Sequence, residues 1–76
     1  MVLEKIRQAL AEQFERELDE ITENTDIALD LGADSLDLVE LITELENEYN
    51  VTVVDESIYT CKTVSELTEY IEGLLA

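Results

Sequence analysis

The chain has 76 residues, with twenty acidic side chains, four basic ones, no histidine and a net charge of −16. That length gives one domain with a core of roughly twenty apolar side chains, too small for a catalytic cavity built from several rigid elements. Without proline, with two glycines and with many Leu, Ile, Glu and Ala, it favours helix and argues against an all-β fold.

The charge is unevenly spread. The bases are Lys5, Arg7, Arg16 and Lys62, and fourteen acids lie between the last two. Such a surface repels nucleic acid and anionic membranes, and steers the protein towards basic patches on partners or towards cations. A lone cysteine, Cys61, rules out an internal disulfide, and the lack of histidine argues against structural zinc. No signal peptide is apparent and no apolar run exceeds four residues, so no membrane span is expected and the cytoplasm is the expected compartment.

In chain order, Val2 to about Arg16 is predicted as an amphipathic helix, with Leu3, Ile6, Leu10 and Phe14 at spacings of three and four. Glu17 to Asp34 has no regular face. It is predicted as a long connection pinned to the core by Leu18, Ile21, Ile27, Leu29 and Leu31, of the kind that is often functional in small domains.

Leu36 to Tyr49 is the clearest helix. At 100° per residue, Leu38, Leu41, Ile42, Leu45 and Tyr49 fall within one stripe about 100° wide. Leu36 and Val39 point away from it, on a face shared with Glu40, Thr43 and Asn47, which suits partner docking. Asn50 to Val54 is β-branched but has no partner strand, so it is predicted as an extended connector. Asp55 is expected to cap a short turn through about Tyr59.

Thr63 and Glu66 have capping-box spacing. The last helix follows, with Val64, Leu67, Tyr70, Ile71, Leu74 and Leu75 as its apolar face. Three long helices and one short one make an all-α, small four-helix bundle over residues 1–76.

The chemistry concentrates in Leu31-Gly-Ala-Asp-Ser-Leu-Asp-Leu-Val-Glu40. Asp34 or Ser35 can cap the helix, and Asp37 adds a carboxylate to its positive end. A serine hydrolase needs a base, and the chain has no histidine; the flanking residues also fail the G-x-S-x-G pattern. Calcium loops starting at Asp30 or Asp26 lack the required glycine, Ser35 or Leu31 standing in its place. Weak divalent binding by clustered carboxylates is expected, with no specific metal site. Ser35 can also be an attachment point. Its hydroxyl lies at an exposed helix start, where a phosphodiester would meet free backbone N–H groups.

Asp30-Leu-Gly-Ala-Asp-Ser-Leu-Asp37, followed by Val39-Glu-Leu, resembles the D-S-L motif of acyl carrier proteins, in particular those of bacterial-type fatty-acid synthesis. Length, helix order and acidity extend the resemblance over nearly the whole chain. It implies a non-catalytic carrier with 4′-phosphopantetheine, taken from coenzyme A by a Mg²⁺-dependent phosphopantetheinyl transferase (holo-ACP synthase), esterified to Ser35. The arm's thiol would carry acyl groups as thioesters between enzymes of type II fatty-acid biosynthesis.

By the same resemblance, Asp34, Leu36 and Asp37 flank the attachment serine. Partner enzymes with basic docking patches would meet Leu36, Asp37, Val39, Glu40, Thr43, Glu44, Glu46, Glu48, Asp55 and Glu56. An acyl chain would withdraw among Ile42, Leu45, Val53, Ile58, Cys61, Leu67, Tyr70 and Ile71, which also serve as plain core. The expected state is a monomer.

Three departures stand out. Val53-Val54-Asp55 replaces the family's aliphatic–Pro–Asp, which predicts a looser connector. Thr43 stands where a larger apolar residue is common. Cys61 takes an aliphatic position and reads as a small buried hydrophobe. A carrier of polyketide or other specialised pathways shares the motif, and an unmodified acidic cation-binding or interaction protein is the alternative of a different class.

Overall fold

Three amphipathic helices supply most of the core in the computed structural model, which describes residues 2–54 and 56–76. They are α1 (Val2–Gln13), α3 (Ser35–Tyr49) and α4 (Val64–Leu75), with a five-residue helix α2 (Ile27–Leu31) between the first two. Two short 3-10 helices, Leu18–Glu20 and Glu56–Thr60, complete the described elements. No strand forms among the described residues, where an isolated antiparallel bridge joins Asp26 to Thr63. The expected all-α bundle is what forms.

Helix α1 packs chiefly on α4 and also on α3. Ile6, Leu10, Leu41, Leu45, Leu67 and Ile71 are fully buried where these helices meet, and Ile21 and Ile58 close the core from the connections. Burying each such side chain contributes roughly 1.5–3 kcal/mol. Residues three and four apart on each helix therefore do the sorting into core and surface that the sequence period foretold.

The boundaries differ in instructive ways. Helix α1 stops at Gln13 rather than near Arg16. Glu15 turns to φ 54°, and the Phe14 and Arg16 N–H groups bond back to the Leu10 and Ala11 carbonyls at 3.0 and 2.9 Å. That left-handed residue closes the helix as a glycine often does. At the far end of the bundle, Leu74 and Leu75 are exposed, while Thr68 is buried in their stead. Its hydroxyl donates to the Val64 carbonyl at 2.8 Å, so a polar side chain enters the core with its hydrogen bond made inside its own helix.

The long connection is more ordered than its sequence pattern suggested. Arg7 organises its first half, donating from Nε to the Ile21 carbonyl at 2.6 Å and from Nη2 to the Leu18 carbonyl at 3.0 Å. Asp26 then caps α2, its carboxylate accepting from the Leu29 N–H at 2.8 Å. Of the five aliphatics expected to pin this connection, Ile21, Ile27 and Leu31 are buried. Leu18 and Leu29 are exposed. A helix of five residues can aim only its i and i+4 positions inwards, and those are Ile27 and Leu31.

After α3, Asn50, expected as the first residue of the extended connector, instead takes φ 54° as the C-cap, and residues 51–54 form a connector without helix or strand. The expected Asp55 cap lies outside the described residues. Glu56–Thr60 is a 3-10 helix where a short helical turn was expected.

Candidate functional site at the start of helix α3

The site begins with the way α2 ends. Gly32 has φ 72° and directs its N–H to the Ala28 carbonyl at 3.0 Å, while the Ala33 N–H reaches the Ile27 carbonyl at 3.3 Å. This left-handed closure suits a residue without Cβ. It reverses the chain so that α3 starts three residues later.

Asp34 is the N-cap of α3. Its Oδ1 accepts the Asp37 N–H at 2.9 Å, and Asp37 Oδ2 accepts the Asp34 N–H at 3.1 Å. The two carboxylates thus form a reciprocal capping box, resolving the choice between Asp34 and Ser35 as the cap. Gln13 steadies the same turn from α1, donating to the Asp37 carbonyl at 3.0 Å.

Ser35 is thereby released. It is the first residue of α3, is exposed, and its hydroxyl makes no hydrogen bond among the described residues. The N–H groups of Ser35 and Leu36 likewise have no backbone partner among the described residues. They leave the positive end of the α3 dipole open to solvent.

Beside the Ser35 hydroxyl lies an opening of about 260 Å³. Ile27 and Ala28 of α2 form one bank, Ala33 to Ser35 and Leu38 the other, and Tyr59 and Cys61 the third. Of the eight residues expected to shelter an acyl chain, Cys61 alone lines this opening. Ile42, Leu45, Ile58, Leu67 and Ile71 are buried in the closed core, and Val53 and Tyr70 pack half-buried against it. Sequence period could identify apolar positions but not the gap between three separate elements. Ala28, Ala33, Leu38 and Tyr59 went unassigned to the cavity for that reason.

Cys61 is half-buried rather than buried. Burial and, secondarily, the negative charge of Glu66 push its thiol pKa up, which keeps it in the poorly nucleophilic protonated form at neutral pH.

The expected partner face divides in two. Leu36 and Val39 are 65% and 41% exposed, and Glu40, Thr43 and Glu44 are also exposed. The Thr43 hydroxyl folds back onto the Val39 carbonyl at 2.9 Å, and Glu40 and Glu44 border a shallow groove facing Glu12 and Gln13 of α1. Glu46 and Glu48 are engaged within the molecule. Glu46 accepts the Val53 N–H at 2.7 Å, and Glu48 pairs with Lys5 at 3.0 Å. The Glu48 carboxylate, chiefly through this hydrogen bond, raises the Lys5 pKa. Glu46 therefore ties the proline-free connector to α3. Glu56 is exposed, and Asp55 lies outside the described residues.

Comparison with known proteins covers nearly the whole chain. The family described as the phosphopantetheine attachment site matches residues 4–71. The acyl carrier protein of Phytoplasma australiense is 43% identical over 76 residues, covering all of both chains. That of Lactobacillus acidophilus is 42% identical over 72 residues, 95% of this chain and 90% of the relative. A solved structure of the acyl carrier protein from Enterococcus faecalis superposes with a TM-score of 0.79 at 33% identity, covering 96% of this chain and 92% of that one. Among the described residues, no helix is long and apolar enough to cross a membrane.

Proposed function

Because the chain belongs to the acyl carrier protein family, a group of phosphopantetheine-dependent carriers, we propose that Ser35 is its attachment residue and that residues 1–76 act as one non-catalytic carrier domain. The observation that carries this reading is the division of labour between neighbours. Asp34 caps the helix, so Ser35 is exposed and its hydroxyl makes no hydrogen bond among the described residues.

The residues present fit the group. Esterification places a negative phosphodiester at the helix start, and the free N–H groups of Ser35 and Leu36 favour that charge. Asp34 and Asp37 turn their carboxylates onto each other's backbone N–H groups, which offsets their repulsion towards it. When bound, 4′-phosphopantetheine supplies a long arm ending in a thiol that holds acyl groups as thioesters. The chain itself supplies the accessible Oγ and a rigid turn to hold it. The base that takes the hydroxyl proton comes from the modifying transferase, since this chain has no histidine, and the transferase brings its own Mg²⁺.

The proposed setting is type II fatty-acid synthesis in the cytoplasm, with the carrier acting as a monomer. Partner enzymes meet the exposed Glu40 and Glu44 through basic patches and the exposed Leu36 and Val39 through apolar contacts. Support comes from relatives that are themselves acyl carrier proteins over nearly their full length.

The test is incubation with coenzyme A, Mg²⁺ and a broad-specificity phosphopantetheinyl transferase, read by intact mass. The wild type should gain the mass of one phosphopantetheine and Ser35→Ala none. No gain, or a gain that survives Ser35→Ala, overturns the assignment. Assaying the loaded protein against fatty-acid and polyketide elongating enzymes then separates the two pathways.

A further inference from the structure

Leu29 is a leucine without a structural task. It is 85% exposed, although Ile27 and Leu31, two residues away on either side, are buried, and its neighbour Ala28 lines the opening beside Ser35. Its backbone N–H satisfies the Asp26 cap, a duty any residue other than proline performs, so the side chain is not needed for α2 to form.

The position of Leu29 is informative. Ala28 and Ser35 line the same opening from opposite banks, and each is followed by an exposed leucine, Leu29 on α2 and Leu36 on α3. On the third bank Tyr59 lines the opening and is itself 44% exposed. Three exposed large apolar residues from three elements are thus either part of the lining of the opening, as Tyr59 is, or one residue beyond a lining residue, as Leu29 and Leu36 are.

We propose that Leu29, with Tyr59 opposite, completes an apolar collar around Ser35 that docks against the apolar border of the catalytic cleft of enzymes acting at this serine. The inference rests on Ser35 being the attachment residue and adds α2 to a docking surface otherwise expected on α3 and at Asp55 and Glu56. The occupant follows from geometry. An enzyme that forms or breaks a bond at Ser35 Oγ must bring its cleft to that atom. A standard interface covers about 800 Å² per partner, a patch roughly 16 Å in radius. The whole molecule exposes 4746 Å² and measures 28 × 23 × 19 Å. Residues one position away from those lining the mouth lie well inside that footprint. Exposed aliphatic and aromatic groups at the centre of such a patch are the ones that gain most from burial.

Steady-state kinetics of the same phosphopantetheinyl transferase test this with Leu29→Gln, Tyr59→Ser and, as a control, Leu75→Gln. Leu75 is also exposed but lies about 17 Å along α4 from that helix's start. Leu29→Gln should raise KM about fivefold with kcat unchanged, Tyr59→Ser should act in the same direction, and Leu75→Gln should do neither. The melting temperature of Leu29→Gln should match the wild type. A KM within twofold of wild type for Leu29→Gln, an equal rise for Leu75→Gln, or a lowered melting temperature for Leu29→Gln would overturn the collar while Ser35 modification of the wild type stands. A wild type that takes up no phosphopantetheine removes both readings together.

Discussion

Helices α3 and α4 start with the same device and use it for opposite ends. Each opens on a capping box, Asp34 with Asp37 and Thr63 with Glu66. At α4 the first two residues are then fastened to the connection that precedes α2. Val64 is fully buried and its N–H bonds to the Thr25 carbonyl at 3.1 Å, while the Ser65 N–H bonds to the Glu23 carbonyl at 2.8 Å. At α3 the equivalent residues, Ser35 and Leu36, are exposed and their N–H groups are left open. The same kind of cap makes a structural joint where another segment covers the helix start, and leaves an exposed, unfastened start where none does among the described residues. A cap therefore identifies a helix start, and its surroundings give it a role.

That contrast can be broken most directly at the two covered or uncovered apolar positions. Val64→Ala should lower unfolding free energy by about 2 kcal/mol, whereas Leu36→Ala should stay within about 0.5 kcal/mol of wild type; urea denaturation measures both. Equal losses would mean that Leu36 packs against the fold. The caps come next in size. Asp34→Ala and Thr63→Ala should each cost about 1 kcal/mol, with Ser35→Ala near neutral, because Asp34 and not Ser35 holds the cap. A loss at Thr63 twice that at Asp34 would sharpen the comparison, showing that the α4 box also supports the loop bridged to it.

The smallest effect concerns Cys61, between the two starts. Its thiol pKa is raised in the fold by burial and Glu66, so the native state favours the protonated form. The unfolded thiol ionises first as pH climbs, and the related stability is whole below the ordinary thiol pKa and lost as pH rises through the raised one. The pH midpoint of alkylation should accordingly lie above that of an unstructured cysteine peptide. A midpoint at or below the peptide's would remove the burial assigned to this wall of the opening.

Much of this was legible in the residue order. Of the predicted stripe, Leu41, Ile42 and Leu45 are buried and Leu38 and Tyr49 half-buried, while Leu36 and Val39 are exposed, because a helical wheel depends only on a fixed angle per residue. The Thr63–Glu66 box was equally readable, being a contact within one turn. What escaped was long-range or set by a backbone sign. Glu15 carries no glycine-like signal for its left-handed turn. Leu29 looks like a core residue until α2 is seen to have only two inward positions. Glu46 and Glu48 look like their exposed neighbours until Val53 and Lys5 arrive from elsewhere in the chain.

The sequence by itself determined the helical class, the acidic surface and the segment around Ser35, since each rests on composition or on contacts a few residues apart. The local backbone settled the cap on Asp34, and only the tertiary structure decided that Ser35 lines a gap among α2, α3 and the Tyr59–Cys61 segment and which carboxylates are engaged by distant residues. The reason is physical. A period places a side chain on a face, but only the segments that pack against that face establish whether it is buried, bonded or left for a partner.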